Sequence, residues 1–264
     1  PFFAAGFTWF RGSWSTHFNH GLFEGAFGGN IMIYEIFALK YAGPLTSSGA
    51  FVMWLKEWEK TVERNCYFWL IRHGSAKILG DAGVTPELAV KRNLTGYVPP
   101  KKLLQQLHLN AADIKHVILT HLHWDHAGGA SLFPNARFYV QEEEYRFWLD
   151  DPISKRPPFK LVSDDAYKEY LKALKGTDRL GLLKGDQEKL PGIECLKAPG
   201  HTPALQAVSV NTGKGKAILG SDCAHFFRNY REDWPSSLIM DLAAWMKTYD
   251  KLRSSVSSLD LLFP

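Results

Sequence analysis

Thr120-His121-Leu122-His123-Trp124-Asp125-His126-Ala127-Gly128-Gly129 sets three imidazoles and one carboxylate within six consecutive positions, directly after an apolar run, Ile114 to Leu119, that reads as a buried strand. Neutral imidazole and carboxylate are the usual ligands of zinc and its first-row neighbours, and this density at a strand end is metal-site chemistry. His121 and His123 alternate along an extended loop, so both rings point one way. Asp125 and His126 fall on the turn beyond and face a second position, so one stretch can serve two metals. Trp124, between ligands, is expected to wedge the loop against the core.

Two distant segments fit the same pattern. His201 follows Pro199-Gly200 at a strand end, where glycine permits the tight backbone that turns an imidazole inward. Asp222 ends another apolar strand, Ala217 to Ser221. Strand ends converging on one edge are where layered α/β proteins place their sites. Asp81, before a glycine turn, could orient a ligand histidine or serve only the turn.

The rest of the chain is consistent with an α/β domain. With 264 residues, 45% of them hydrophobic and 14% aromatic, it can bury a large core. Lys plus Arg number 31 against 27 Asp plus Glu, spread along the chain, and no basic block suggests a nucleic-acid partner. No apolar run reaches the roughly 18 residues that cross a bilayer, so no membrane partner is expected. Cys66, Cys195 and Cys223 form no Cys-x-x-Cys pair, which points to a reducing, cytoplasmic setting, with Cys223 a buried inert thiol.

Residues 1–31 are rich in Phe, Gly and Trp and lack the plan of a secretory signal, so they read as an atypical extension, disordered or non-native, with the domain over 32–264. His17 and His20 lie in that extension and are not expected to be ligands. Strands are expected at Tyr34 to Leu39, Cys66 to Ile71 and Ala76 to Gly80, with a Gly43-Pro44 turn and a polar loop from Leu45 to Arg64. A second set comprises Ile193 to Lys197, Gln206 to Val210 and Ala217 to Ser221. Glu142 to Glu144 read as a solvated helix face, and Asp150 to Leu183 as an insertion able to cover a site. A helix is expected over Pro235 to Ser254, then a strand over Leu259 to Pro264. His73, His108 and His116 lack partner motifs and are read as ordinary turn or strand histidines.

The order His121-x-His123-x-Asp125-His126, Gly200-His201, Asp222 resembles the metallo-β-lactamase superfamily. Together with Tyr34-Glu35-Ile36-Phe37-Ala38-Leu39-Lys40-Tyr41 and Asp81-Ala82-Gly83-Val84-Thr85-Pro86-Glu87, it resembles the N-acyl-homoserine lactonase branch, over about Met32 to Pro264. The resemblance implies a four-layer αβ/βα sandwich with a dinuclear zinc site. His121, His123 and His201 would hold one metal, Asp125 and His126 the other, with Asp222 bridging. It further implies hydroxide attack on a lactone carbonyl, quorum quenching as the biological outcome, and a possible homodimer. Asp125 could also carry a proton.

Two departures accompany this resemblance. The branch places a further metal-binding histidine in a Gly-His-Asp after a strand like Leu259 to Pro264, and the sequence stops at Pro264. His225 stands where the branch has a substrate-polarising tyrosine, and could donate to substrate or act as a replacement ligand; Tyr230 nearby is expected to pack a helix. A thioesterase of the glyoxalase II kind, a β-lactamase, or a truncated, weakly active metal-binding protein are the alternative readings.

Overall fold

The computed structural model describes residues 32–264; the expected extension at 1–31, with His17 and His20, lies outside the described residues. A six-stranded sheet runs in chain order through β1 (Glu35–Ser48), β2 (Thr61–His73), β3 (Ala76–Gly80), β4 (His116–Ile118), β5 (Arg137–Gln141) and β6 (Leu180–Leu183). The first three strands pair antiparallel, and β3 to β6 pair parallel. A five-stranded sheet is built from β7 (Gln187–Leu190), β8 (Ile193–Lys197), β9 (Gln206–Thr212), β10 (Gly215–Leu219) and β11 (Leu262–Phe263), in the order β11-β10-β9-β8-β7.

Alternating side chains fill the space between the sheets: Ile71, Ile78 and Ile118 from one meet Ile193, Val208, Val210 and Leu219 from the other. The outer face of the first sheet, with Phe68, Leu70, Leu79, Val117 and Phe138, is covered by helices through Leu103, Leu104, Tyr167 and Leu171. The outer face of the second, with Leu196, Ala207 and Ile218, is covered by Trp245, Tyr249 and Leu252 of the helix Leu242–Ser255. Helices, sheet, sheet, helices is the expected four-layer sandwich. Among the described residues no helix is long and apolar enough to cross a membrane.

Four local expectations are corrected. Gly43-Pro44 is no turn: β1 runs through it with register shifts, because proline gives no N–H to the ladder and the strand bulges instead. Leu45 to Arg64 is not a loop throughout. Its two ends extend β1 and β2 as far as the Ser48–Thr61 pair, leaving the turn to residues between, including the short helix Gly49–Val52. Asp150 to Leu183 is no separate cover, since Tyr167 and Leu171 enter the core and Leu180–Leu183 is a strand of the main sheet. The last long helix begins only at Leu242, where Asp241 caps it by accepting from the Ala244 N–H.

Candidate metal centre

The apolar strand β4 ends at Ile118, and the histidine loop leaves it at the edge where the two sheets meet. Gln206, fully buried at the start of β9, fastens this edge: its amide donates to the carbonyls of Leu119 and Tyr139, and its backbone N–H donates to Thr120. The loop then enters the short helix Trp124–Ala127. Gly129 is required here, because a Cβ would come within 2.2 Å of the Ala82 carbonyl oxygen, and its N–H donates to Gly83. Gly200 has φ +140°, and a Cβ there would lie 2.4 Å from Trp245 Cβ, so only glycine lets the His201 turn lie on this helix.

Four of the expected ligands converge. One nitrogen or oxygen from each of His121, His123, His201 and Asp222 lies within 4.8 Å of every other. His201 Nε2 is 3.1 Å from His123 Nδ1 and 3.3 Å from Asp222 Oδ2. The opposite ring nitrogen of His201 faces the Leu238 carbonyl at 2.9 Å, which directs Nε2 inward. His121 Nε2 is buried without a partner, whereas its Nδ1 lies 3.1 Å from Thr120 Oγ1. A buried imidazole nitrogen without a partner, amid other nitrogens and a carboxylate oxygen, is a donor set suited to a divalent cation.

The remaining pair forms a second group on the same aspartate. His126 Nε2 lies 3.4 Å from Asp222 Oδ1 and 3.9 Å from Asp125 Oδ2. Asp222 thus presents one oxygen to His201 and the other to His126. Behind His126, Asp81 Oδ2 accepts from Nδ1 at 2.7 Å, and the same carboxylate accepts from the Thr120 N–H and hydroxyl at 2.7–2.9 Å. Of the two readings open for Asp81, the contact with His126 matches the orienting one. Ser221, two residues beyond β10, adds a hydroxyl 2.9 Å from Thr120 Oγ1, and Tyr41 donates to the Asp125 carbonyl at 2.6 Å.

Charge follows from this packing. Burial is the largest influence on His121 and His123 and pushes both imidazoles well below the ordinary histidine range, so they present neutral lone pairs. Burial works against a charged His126 as well, but Asp81, Asp222 and Asp125 outweigh it and hold that ring well above the ordinary value. Asp125 is raised by burial. Asp222, though also desolvated, is held well below the usual carboxylate range by His126 and His225.

His225 lies on the side of Asp222 that faces His201, with Nε2 3.8 Å from Asp222 Oδ2, Nδ1 buried without a partner, and its ring edge-on to Phe51 at 5.7 Å. Desolvation lowers its pKa to about 4. A cavity of about 270 Å³ opens beside Asp125, His126, Asp222 and His225 and is walled by Tyr67, Trp69, Phe226 and Phe227. Trp124 packs on the core under the Arg92 guanidinium, 4.8 Å from its ring, as a wedge. Tyr230 packs on Tyr249 with ring centres 5.3 Å apart, and Cys223 is buried. His116 stacks on Tyr139, and His73 faces the Ile33 carbonyl, both away from the cluster.

Glu144 corrects the reading of a solvated acidic face. It is fully buried, accepting from the Leu122 and Ala204 N–H groups at 3.1 and 3.0 Å and from Trp148 Nε1 at 2.7 Å. It ties the loop between His121 and His123 to the turn after His201. The signal was its spacing: Glu144 stands one helical turn before Trp148, whose ring packs edge-on to His123 at 5.1 Å.

The model of the Metallo-beta-lactamase superfamily matches residues 61–258, more than half of the chain. An N-acyl homoserine lactonase of Bacillus sp is 29% identical over 187 residues, 64% of this chain and 67% of that protein. The N-acyl homoserine lactonase AttM of Rhizobium radiobacter is 25% identical over 173 residues, 60% of this chain and 59% of that protein. Among solved structures, an N-acyl homoserine lactone hydrolase with N-hexanoyl-L-homoserine at its catalytic metal centre matches with a TM-score of 0.68 and 19% identity, covering 84% of this chain and 88% of that one. The dizinc quorum-quenching lactonase AidC gives 0.66 and 22%, with 84% of each chain covered. At these identities the structural likeness shows the fold.

Proposed function

Because the chain belongs to the metallo-β-lactamase superfamily of hydrolases, we propose that it is a zinc-dependent lactonase whose substrate is an N-acyl homoserine lactone. The observation that carries the reading is the pair of ligand groups sharing Asp222, one oxygen to each, beside an aromatic-walled cavity. Its kinship to named lactonases supports the choice of substrate.

His121, His123, His201 and Asp222 would hold one ion, and Asp125, His126 and Asp222 the other. Two such cations, when bound, polarise a carbonyl and make water a nucleophile at neutral pH.

The chain's own groups supply the rest. Asp125, whose burial favours proton uptake, takes the proton released in the attack and passes it to the ring oxygen as the C–O bond breaks. His225 is neutral near pH 7, and its Nε2 is too far from Asp222 for a hydrogen bond, so an N–H there is free to donate to the substrate oxygen. Tyr67, Trp69, Phe226 and Phe227 take up the acyl chain and exclude water.

The test is ring opening of N-hexanoyl homoserine lactone by protein freed of metal and then given zinc. Turnover that is abolished by chelation and restored by zinc is expected. No turnover of any homoserine lactone by the zinc-loaded protein would refute the proposal.

A further inference from the structure

Among the described residues lining the cavity, Arg64 alone carries a permanent positive charge. Its Nε donates to Ser47 Oγ at 2.8 Å, and its guanidinium lies 4.9 Å from the centre of the Phe51 ring, so the group is held from two sides. Arg72, Arg146, Arg228 and Arg253 all pair with carboxylates. Among the described residues, no carboxylate lies within ion-pair distance of Arg64, and none of them accepts from its terminal N–H groups. Glu63, also on the cavity wall, directly precedes Arg64 in β2, and alternation along the strand sends its side chain to the opposite face.

A pre-positioned guanidinium with its fork unoccupied matches a carboxylate bound through two parallel hydrogen bonds. A purely alkyl tail laid against it would strip water from the charge and offer nothing in return. Resting on the lactonase reading, we propose that Arg64 is a substrate-recognition residue that selects homoserine lactones whose acyl chain ends in a carboxylate. The lactone carbonyl lies at the Asp222 end of the cavity and the second anion at Arg64, with the aromatic wall covering the methylenes between.

Matched substrates test this: N-adipoyl and N-hexanoyl homoserine lactone, equal in chain length and differing in the terminal carboxylate. For the zinc-loaded full chain, kcat/KM is expected to favour the adipoyl substrate about tenfold or more, chiefly through KM. Arg64→Met should remove that preference, and Arg64→Lys should restore part of it. An equal ratio in wild type and Arg64→Met, or a wild-type preference for hexanoyl, overturns the proposal. If neither lactone is opened, the lactonase reading fails by itself. Calorimetric binding of the two ring-opened products to wild type and Arg64→Met then decides the role of Arg64. Adipoyl-selective binding that is lost in the variant supports it, and equal binding overturns it.

Discussion

Replacing Asp81 with asparagine keeps the shape of a buried side chain and changes one oxygen into an NH2 group. Asp81 has φ 65°, a left-handed conformation that asparagine tolerates, so the backbone need not move. The retained oxygen can still accept from the Thr120 N–H, now 2.7 Å away. The new NH2 meets His126 Nδ1, to which Asp81 Oδ2 now stands at 2.7 Å, and two donors cannot face each other. His126 must therefore give up its Nδ1 proton and keep its hydrogen on Nε2, the atom that lies 3.4 Å from Asp222 Oδ1 and would bind the second ion. The lost charge-assisted bond is worth about 1.5–3 kcal/mol. At 1.4 kcal/mol per tenfold, that is roughly 10–100-fold in affinity, the range usual for partners behind a ligand histidine. Titrating metal-free protein with cobalt against a chelating dye should show two classes of site in wild type. In Asp81→Asn the weaker class should lose that factor while the tighter one stays within a few-fold. Unchanged affinities, or loss of the tighter class alone, would refute the reasoning.

Glu144→Gln sets an NH2 against the N–H of Ala204 or those of Leu122 and Trp148, and should cost about 1–3 kcal/mol of stability, read by denaturant unfolding. A variant as stable as wild type contradicts the clamp. His225→Ala should lower kcat about a hundredfold with metal content unchanged; equal loss of both would make His225 a ligand. In metal-free protein, His225 has a folded pKa of about 4 against an ordinary value near 6.5, so the unfolded chain binds its proton first. Stability from this residue is full above 6.5 and falls as pH drops toward 4. His126 acts in the opposite sense, its contribution complete below 6.5 and lost only as pH rises through its elevated value. The melting temperature of His225→Phe should therefore fall less than that of wild type over the acid window, and parallel curves would contradict the assignment.

The convergence of the histidines and aspartates was legible because their geometry is local. Strand alternation and a tight turn decide where His121, His123, Asp125 and His126 point, and His201 and Asp222 stand at strand ends that the two sheets bring together. Asp81 was legible only as one of two possibilities, since a carboxylate before a glycine looks the same in a plain turn. Glu144 was misread because three consecutive acids suggest solvent, although Tyr145, Trp148 and Leu149 mark the buried face of that segment. The hairpin ends Leu45–Ser48 and Thr61–Arg64 were hidden by their polar composition and by Pro44. With them went Arg64, whose place on the cavity wall depends on pairing between β1 and β2 that no local pattern announces. The stretch from Asp150 to Leu183 looked like an insertion because its charged surface outweighs the few buried residues, Tyr167, Leu171, Leu174, Leu180 and Leu183, that join it to the cores.

On the proposed lactonase reading, Asp222 serves two ions and ring opening needs both. Turnover of N-hexanoyl homoserine lactone, followed while metal-free protein is titrated with zinc, tests it most directly. Activity should rise through about two equivalents per chain, and Asp222→Asn should abolish it. Full activity at one equivalent, or activity that ignores zinc altogether, would contradict it.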